Sequence, residues 1–270
     1  MPINTFQLKL FRDQGYAIIR DMFIDREIEA MRAELDRFKH DGLLRNVATD
    51  GDGQTHSTTQ INLQICPITP KSTFYRALHF HPKVMAAVEQ LIGNPFVFYL
   101  DQIFLKPSKQ GVGTHWHQDN AYFKISDPTK GVGMWVALHD ATIQNGTLHI
   151  VPGSHREKFA HDRDPNSDHH IRCTVPEEKA IPIELPAGGV VFFNFGIAHS
   201  TRANTTDRER AGLALHFLNT NYIPESARKK RSYTHLSGPL ASGGREEYGL
   251  QIADTWPCEV DRVLTQTEKA

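Results

Sequence analysis

Apolar positions in the first hundred residues recur at helical spacing. From Asp25 to Phe38, Ile28, Met31, Leu35 and Phe38 fall on one face with Asp, Glu and Arg opposite, which predicts an amphipathic helix. A second helix is expected from Pro82, a residue favoured just inside a helix start, to the position before Gly93. Val84, Val88, Leu91 and Ile92 form its buried stripe. Between the two, Gln60-Ile61-Asn62-Leu63-Gln64-Ile65 alternates polar and apolar, as a half-buried strand does. After Gly93 the pattern changes to strands: Phe96 to Lys106, Met134 to His139, Thr147 to Val151, Val190 to Phe195 and Leu213 to Leu218. Turn chemistry separates them, with Asn145-Gly146 expected as a hairpin turn. Pro152-Gly153-Ser154 is expected as a strand-to-loop corner, and Pro186-Ala187-Gly188-Gly189 as a further turn. Many short strands without alternating helices predict a mainly β protein, a sandwich or jelly roll, rather than a parallel α/β sheet. Arg156 to Arg172 and Arg228 to Gly244 are polar enough to be surface loops.

Composition narrows the function classes. The length of 270 residues suits one large domain, and no repeat or linker composition divides it. Lys and Arg number 30 against 31 Asp and Glu, a balance that argues against nucleic acid as a partner and against a polybasic membrane anchor. Cys66, Cys173 and Cys258 are scattered and odd in number, so they are expected as reduced thiols in a cytoplasmic protein. No signal-like start or membrane-length apolar run is expected to direct the chain elsewhere.

The candidate chemistry lies in two segments. His117 and Asp119, two apart on a strand or its extended end, would turn to the same face with Gln118 pointing away. Among fifteen histidines such a pair arises easily by chance. His199 strengthens it, because it follows the apolar strand Val190 to Phe195 and would sit at a barrel mouth. Two imidazoles and a carboxylate suit a facial iron(II) site that leaves three positions open. Arg210, eleven residues after His199, starts the next predicted strand and can hold a carboxylate bidentately, with Thr201 adding a hydroxyl. The plainer alternatives are a surface ion pair of Arg210 with Asp207 or Glu209 and a core role for Trp135.

The ordered motifs carry a family resemblance. Phe11-Arg12-Asp13-Gln14-Gly15-Tyr16 opens the match, and Gln102-Ile103-Phe104-Leu105-Lys106-Pro107 and Trp116-His117-Gln118-Asp119-Asn120-Ala121-Tyr122 follow. Trp135-Val136-Ala137-Leu138, Asn145-Gly146-Thr147-Leu148 and Pro152-Gly153-Ser154-His155 complete it. The chain resembles the phytanoyl-CoA dioxygenase family of iron(II)- and 2-oxoglutarate-dependent oxygenases over about residues 6–218. The resemblance implies a double-stranded β-helix (jelly roll, cupin-like) with flanking N-terminal helices. One domain would span 1–270, its extension 219–270 supplying substrate-side loops. It implies iron held by His117, Asp119 and His199. Arg210 and Thr201 would bind the distal carboxylate of 2-oxoglutarate. Trp135 and Gln102 would line that pocket, with a further contact from the Gln60 to Gln64 strand. O2 is the second cosubstrate, and ascorbate a stimulating reductant. Relatives that halogenate lack the carboxylate, so Asp119 favours hydroxylation, or a related desaturation or cyclisation.

The expected partner is a small-molecule substrate. A same-fold oxygenase acting on a macromolecule and a non-catalytic cupin-like binding module are the alternatives. Residues that choose the substrate are expected on Lys109 to Gly113, Tyr122 to Lys130, Arg156 to Arg172 and after Asn219. His149 and His155 are expected as hydrogen-bonded scaffold residues. His169-His170 are expected to diverge on a polar loop, and Arg228-Lys229-Lys230-Arg231 to form a solvated basic surface.

Overall fold

A computed structural model describes residues 3–229, 232–245 and 255–267. Lys230 and Arg231 of the expected basic run lie outside the described residues.

Helix α1 (Thr5–Gln14) is closed at its start by a capping box between Asn4 and Gln7, and ends at Gly15 in the left-handed conformation. Strand β1 (Tyr16–Ile19) and α2 (Asp25–His40) follow, then the short strands β2 (Arg45–Asn46) and β3 (Leu63–Ile65). Next come α3 (Thr73–Leu78), α4 (Pro82–Ile92), the long β4 (Phe96–Lys106), β5 (Thr114–Gln118) and the single-turn α5 (Asn120–Phe123). The remaining strands are β6 (Gly131–Ala137), β7 (Leu148–Ile150), β8 (Asp162–Arg163), β9 (Ile171–Arg172) and β10 (Ile181–Ile183). After β11 (Val190–Asn194), β12 (Ala198–Thr201) and β13 (Arg210–Asn219) come α6 (Glu225–Arg228), β14 (Thr234–His235) and α7 (Thr255–Thr267).

The major sheet runs β1-β11-β6-β13-β4-β3-β2, with β14 also on β4, and the minor sheet runs β10-β7-β12-β5. These antiparallel sheets form the jelly roll. Every residue of β6 and β13 is buried, because each strand feeds two cores. On β13, Ala211, Leu213, Leu215 and Phe217 pack under the helices. The alternate positions, Arg210, Gly212, Ala214 and His216, turn into the barrel. Val132, Met134 and Val136 of β6 likewise meet the helical core, while Trp135 and Ala137 join the core between the sheets. That double burial explains why these segments read as continuous apolar runs.

Several expectations shift. Only Leu63–Ile65 of the Gln60 to Ile65 segment is a strand. The Asn46 side chain binds the backbone at Ala48, Ser57, Gln60 and Asn62, competing with the ladder there. The turn at Asn145-Gly146 is real, yet it is no hairpin: it carries the chain from β6 in the major sheet to β7 in the minor sheet. Strand β6 stops before His139, whose Nδ1 accepts from Ala211 N. The expected loop Arg156 to Arg172 contains the β8–β9 ribbon. Helices also flank the barrel from the C-terminal side, since Trp256, Val260 and Val263 of α7 enter the helical core with α2 and α3. Helix α1 gave no apolar stripe because Phe11 is its one buried residue.

Candidate metal centre

The register of the minor sheet builds the site. Strand β12 pairs with β5 so that His199 lies directly across from His117, with ring centroids 4.2 Å apart. Asp119 stands one residue beyond β5. Its backbone is helical, not extended, because its carbonyl accepts from Tyr122 and Phe123 to start α5. That turn brings Asp119 Oδ1 to 3.8 Å from His117 Nε2 and 3.7 Å from His199 Nε2. One ligand atom from each of the three residues lies within 4.8 Å of the others, and they form the one such group among the described residues.

Both imidazoles are oriented by the backbone. His117 Nδ1 contacts His115 O at 2.8 Å and His199 Nδ1 contacts Ile197 O at 3.1 Å. Donation from Nδ1 leaves each Nε2 lone pair directed at the shared point, the arrangement found for metal-bound histidines. Burial, then the neighbouring His199, pushes His117 down to about 3, so its ring is neutral and able to bind a cation at neutral pH. Burial opposes the charge of Asp119, but the imidazoles of His199, His216 and His117 outweigh it and hold the carboxyl well below its ordinary range. Gln118 points away, as expected: its amide donates to the carbonyls of Glu157 and Gly196 and accepts from Phe159 N.

A cavity of about 210 Å³ opens over this cluster, and Trp135, Gln102 and Thr201 line it. Gln64, on β3, donates to Gln102 Oε1 at 2.9 Å and identifies the position that the Gln60 to Gln64 strand contributes. Arg210 is not on the cavity wall. It lies behind Trp135, its guanidinium 5.6 Å from the ring centroid, and donates to the carbonyls of Asn145 and Gly146. The surface ion pair is thereby excluded for Arg210, which is 1% exposed. Its cross-strand partner, Lys106, donates to Thr201 Oγ1 at 2.8 Å and to Arg202 O. Burial brings Arg210 down to about 10, and burial together with Arg210 holds Lys106 well below the usual lysine range. Thr201 Oγ1 accepts from Lys106 and from Thr114 N, which leaves its own proton for a ligand.

Sequence reasoning missed Lys106 and His216, and it named Gln64 only as one end of the Gln60 to Gln64 strand whose register it left open. The signal for His216 was its place in the inward alternation from Arg210; Lys106 was visible only as part of a motif. His169 and His170 do not diverge: their rings lie 4.1 Å apart and both line the cavity. Asp168 anchors His169, while His170 packs on Phe104. Tyr122 and Phe123 also line it; Lys109 to Gly113 do not, nor do described residues after Asn219. His149 Nδ1 contacts Thr147 O as expected, whereas His155 Nδ1 is buried without a hydrogen-bond partner. His155 packs against Gly15 and Gly196, where added Cβ atoms would meet it.

Fold and site together define a class, a jelly-roll protein with a His/Asp/His cluster of the facial metal-binding form. The family is narrower. The family model described as "Phytanoyl-CoA dioxygenase (PhyH)" matches residues 11–212, and the chain belongs to this family as a 2-oxoglutarate-dependent non-haem iron dioxygenase. It is 23% identical over 236 residues to an ectoine dioxygenase of Bordetella bronchiseptica, covering 79% of this chain and 74% of the relative. To the peroxisomal phytanoyl-CoA dioxygenase of Rattus norvegicus it is 23% identical over 275 residues, covering 94% and 80%. In fold it is similar to the carbocyclase SnoK from nogalamycin biosynthesis (TM-score 0.68, 20% identity, 91% and 90% covered). The EctD structure from S. alaskensis with 2-oxoglutarate and 5-hydroxyectoine gives a TM-score of 0.66 at 20% identity, with 93% and 87% covered. No helix among the described residues is long and apolar enough to cross a membrane.

Proposed function

We propose that this chain hydroxylates, or oxidises in a related way, an unactivated C–H bond of a small metabolite or natural product. His117, Asp119 and His199 would hold the iron. The observation that carries this reading is the convergence of two backbone-oriented Nε2 atoms and one Asp119 oxygen at the mouth of a cavity. When bound, the iron supplies oxidation by O2 coupled to conversion of 2-oxoglutarate to succinate and CO2.

The protein's own residues divide the remaining work. Arg210 and Lys106 are two buried cations with no carboxylate partner among the described residues, so the floor behind Trp135 and Thr201 favours an anion. We assign the distal carboxylate of 2-oxoglutarate to this floor, with Arg210 turning from the Gly146 and Asn145 carbonyls and the Thr201 hydroxyl donating. Trp135 and the Gln64–Gln102 pair bound the cosubstrate's sides. Tyr122, Phe104, His169 and His170 also line the cavity, and we assign to them the positioning of a substrate's C–H bond. Asp119 keeps a carboxylate in the metal set, which supports hydroxylation, desaturation or cyclisation over halogenation. We place the protein in the cytoplasm, where the scattered Cys66, Cys173 and Cys258 would stay reduced thiols.

Replacing His117 or Asp119 by Ala is expected to abolish iron-dependent succinate formation while circular dichroism reports an intact fold. Wild-type turnover in either variant would overturn the metal assignment. A metabolite screen for substrate-stimulated succinate release identifies the substrate.

A further inference from the structure

Asp119 shows its two oxygens to different neighbours. Oδ1 faces both candidate ligand imidazoles, whereas Oδ2 faces His216 Nε2 at 3.4 Å. Oδ2 is buried, and the His216 contact lacks the geometry of a full hydrogen bond, so the atom has no regular partner. On β6, a Cβ at Gly133 would stand 3.5 Å from Oδ2 and 2.9 Å from the Phe193 ring, so this wall is closed by a bare backbone.

His216 is built into place. It is 3% exposed, and the β13–β4 register slips by one residue between His216 and Phe217. Such irregularities re-aim side chains beside functional sites. Phe123 packs against the ring at 5.2 Å and Phe195 at 6.0 Å. Its Nδ1 lies 3.3 Å from Leu100 O, so the ring meets an acceptor at each nitrogen, and the carboxylate is the stronger of the two.

Building on the metal assignment above, we propose that His216 is a positioning residue for the metal centre. Its Nε2 faces Asp119 Oδ2 at 3.4 Å and would close to a hydrogen bond as a cation binds, so that the carboxylate offers the cation Oδ1 alone. A carboxylate bound through both oxygens would occupy a fourth coordination position, leaving two where the cosubstrate and O2 together need three. His216 thereby preserves the open face from its place on the cavity wall, acting on the metal site through Asp119.

The test is Co(II) binding by calorimetry and visible absorption, with the full chain in the absence of 2-oxoglutarate. Two variants separate the ring's contacts. In His216→Gln the introduced amide reaches the place of Nε2, whereas in His216→Asn the shorter side chain brings its amide only to the place of Nδ1. His216→Gln is expected to bind Co(II) within about threefold of wild type with the same spectrum. His216→Asn is expected to bind about ten- to hundredfold more weakly, the usual cost of removing a partner of a metal ligand, with a shifted cobalt spectrum. Equal affinity and an unchanged spectrum in His216→Asn would overturn the role. Equal weakening in both variants would overturn it too, since that pattern belongs to packing alone. Failure of His117→Ala to weaken Co(II) binding would instead overturn the metal assignment, and the role of His216 with it.

Discussion

Arg210 and Lys106 are both buried, both cationic side chains in character, and held by carbonyls and a hydroxyl rather than by carboxylates. Desolvated cations without counter-ions are costly unless an anion completes them, which makes this pair the strongest pointer to where 2-oxoglutarate would end. Arg210→Lys keeps a charge but loses the planar fork. It is expected to raise the 2-oxoglutarate concentration needed for half-maximal succinate formation by about tenfold or more, in line with the loss of one charge-assisted bond. Co(II) affinity should stay unchanged. An unaltered 2-oxoglutarate requirement would remove Arg210 from the cosubstrate site. Arg210 could be picked out in the sequence because a cation at the start of an apolar strand is conspicuous. Lys106 was less legible, since a lysine at a strand end ordinarily reaches solvent; here the Thr201 hydroxyl and the Arg202 carbonyl hold its ammonium inside.

The elements divide by how they bury their side chains. Helices α2 and α4 present one apolar face each and were readable nearly to the residue. Strands β6 and β13 bury both faces, so periodicity alone did not say which side faced the barrel. Helix α7 is held largely by Trp256, whose indole donates to Glu27 at 2.6 Å and whose ring lies 4.8 Å from Phe74 and 5.6 Å from His81. Trp256→Ala removes this packing and is expected to cost about 3–5 kcal/mol of stability. Thermal denaturation measures the loss. At temperatures where the variant remains folded, succinate formation should match wild type, because α7 packs on α2 and α3 behind the major sheet. A large loss of turnover in the folded variant would instead tie α7 to the site.

For the molecule as a whole, acid acts through groups whose protonation folding suppresses. His117 is pushed down to about 3 and His170 is held well below its ordinary value, in each case chiefly by burial. An unfolded histidine titrates near 6.5, so the unfolded chain takes up protons that the folded chain refuses as the pH drops below that value. Stability from these histidines is therefore fully present above about 6.5 and is lost progressively toward about 3. Asp101 and Asp119 shift downward as well, each against its own burial and through its histidine neighbours, and add a loss that begins near the ordinary aspartate range. The melting temperature of the metal-free protein is expected to be flat from about pH 8 to 7 and to fall between about pH 6 and 4. A melting temperature independent of pH across that interval would show that the histidines are not held neutral.

The cluster that separates this protein from other jelly rolls was visible in outline as His117-x-Asp119, His199 and Arg210, because residue type and spacing along one chain carry that much chemistry. Helix faces, strand runs and turn residues likewise follow from local periodicity. The direct pairing of His117 with His199, the selection of Gln64 from its strand, the approach of Lys106 to Arg210 and the closing of His216 on Asp119 were decided by the tertiary structure. Each joins segments far apart in sequence through sheet register and two-sided burial, and those relations are set by hydrogen bonding and packing across the whole barrel rather than by any neighbouring residues.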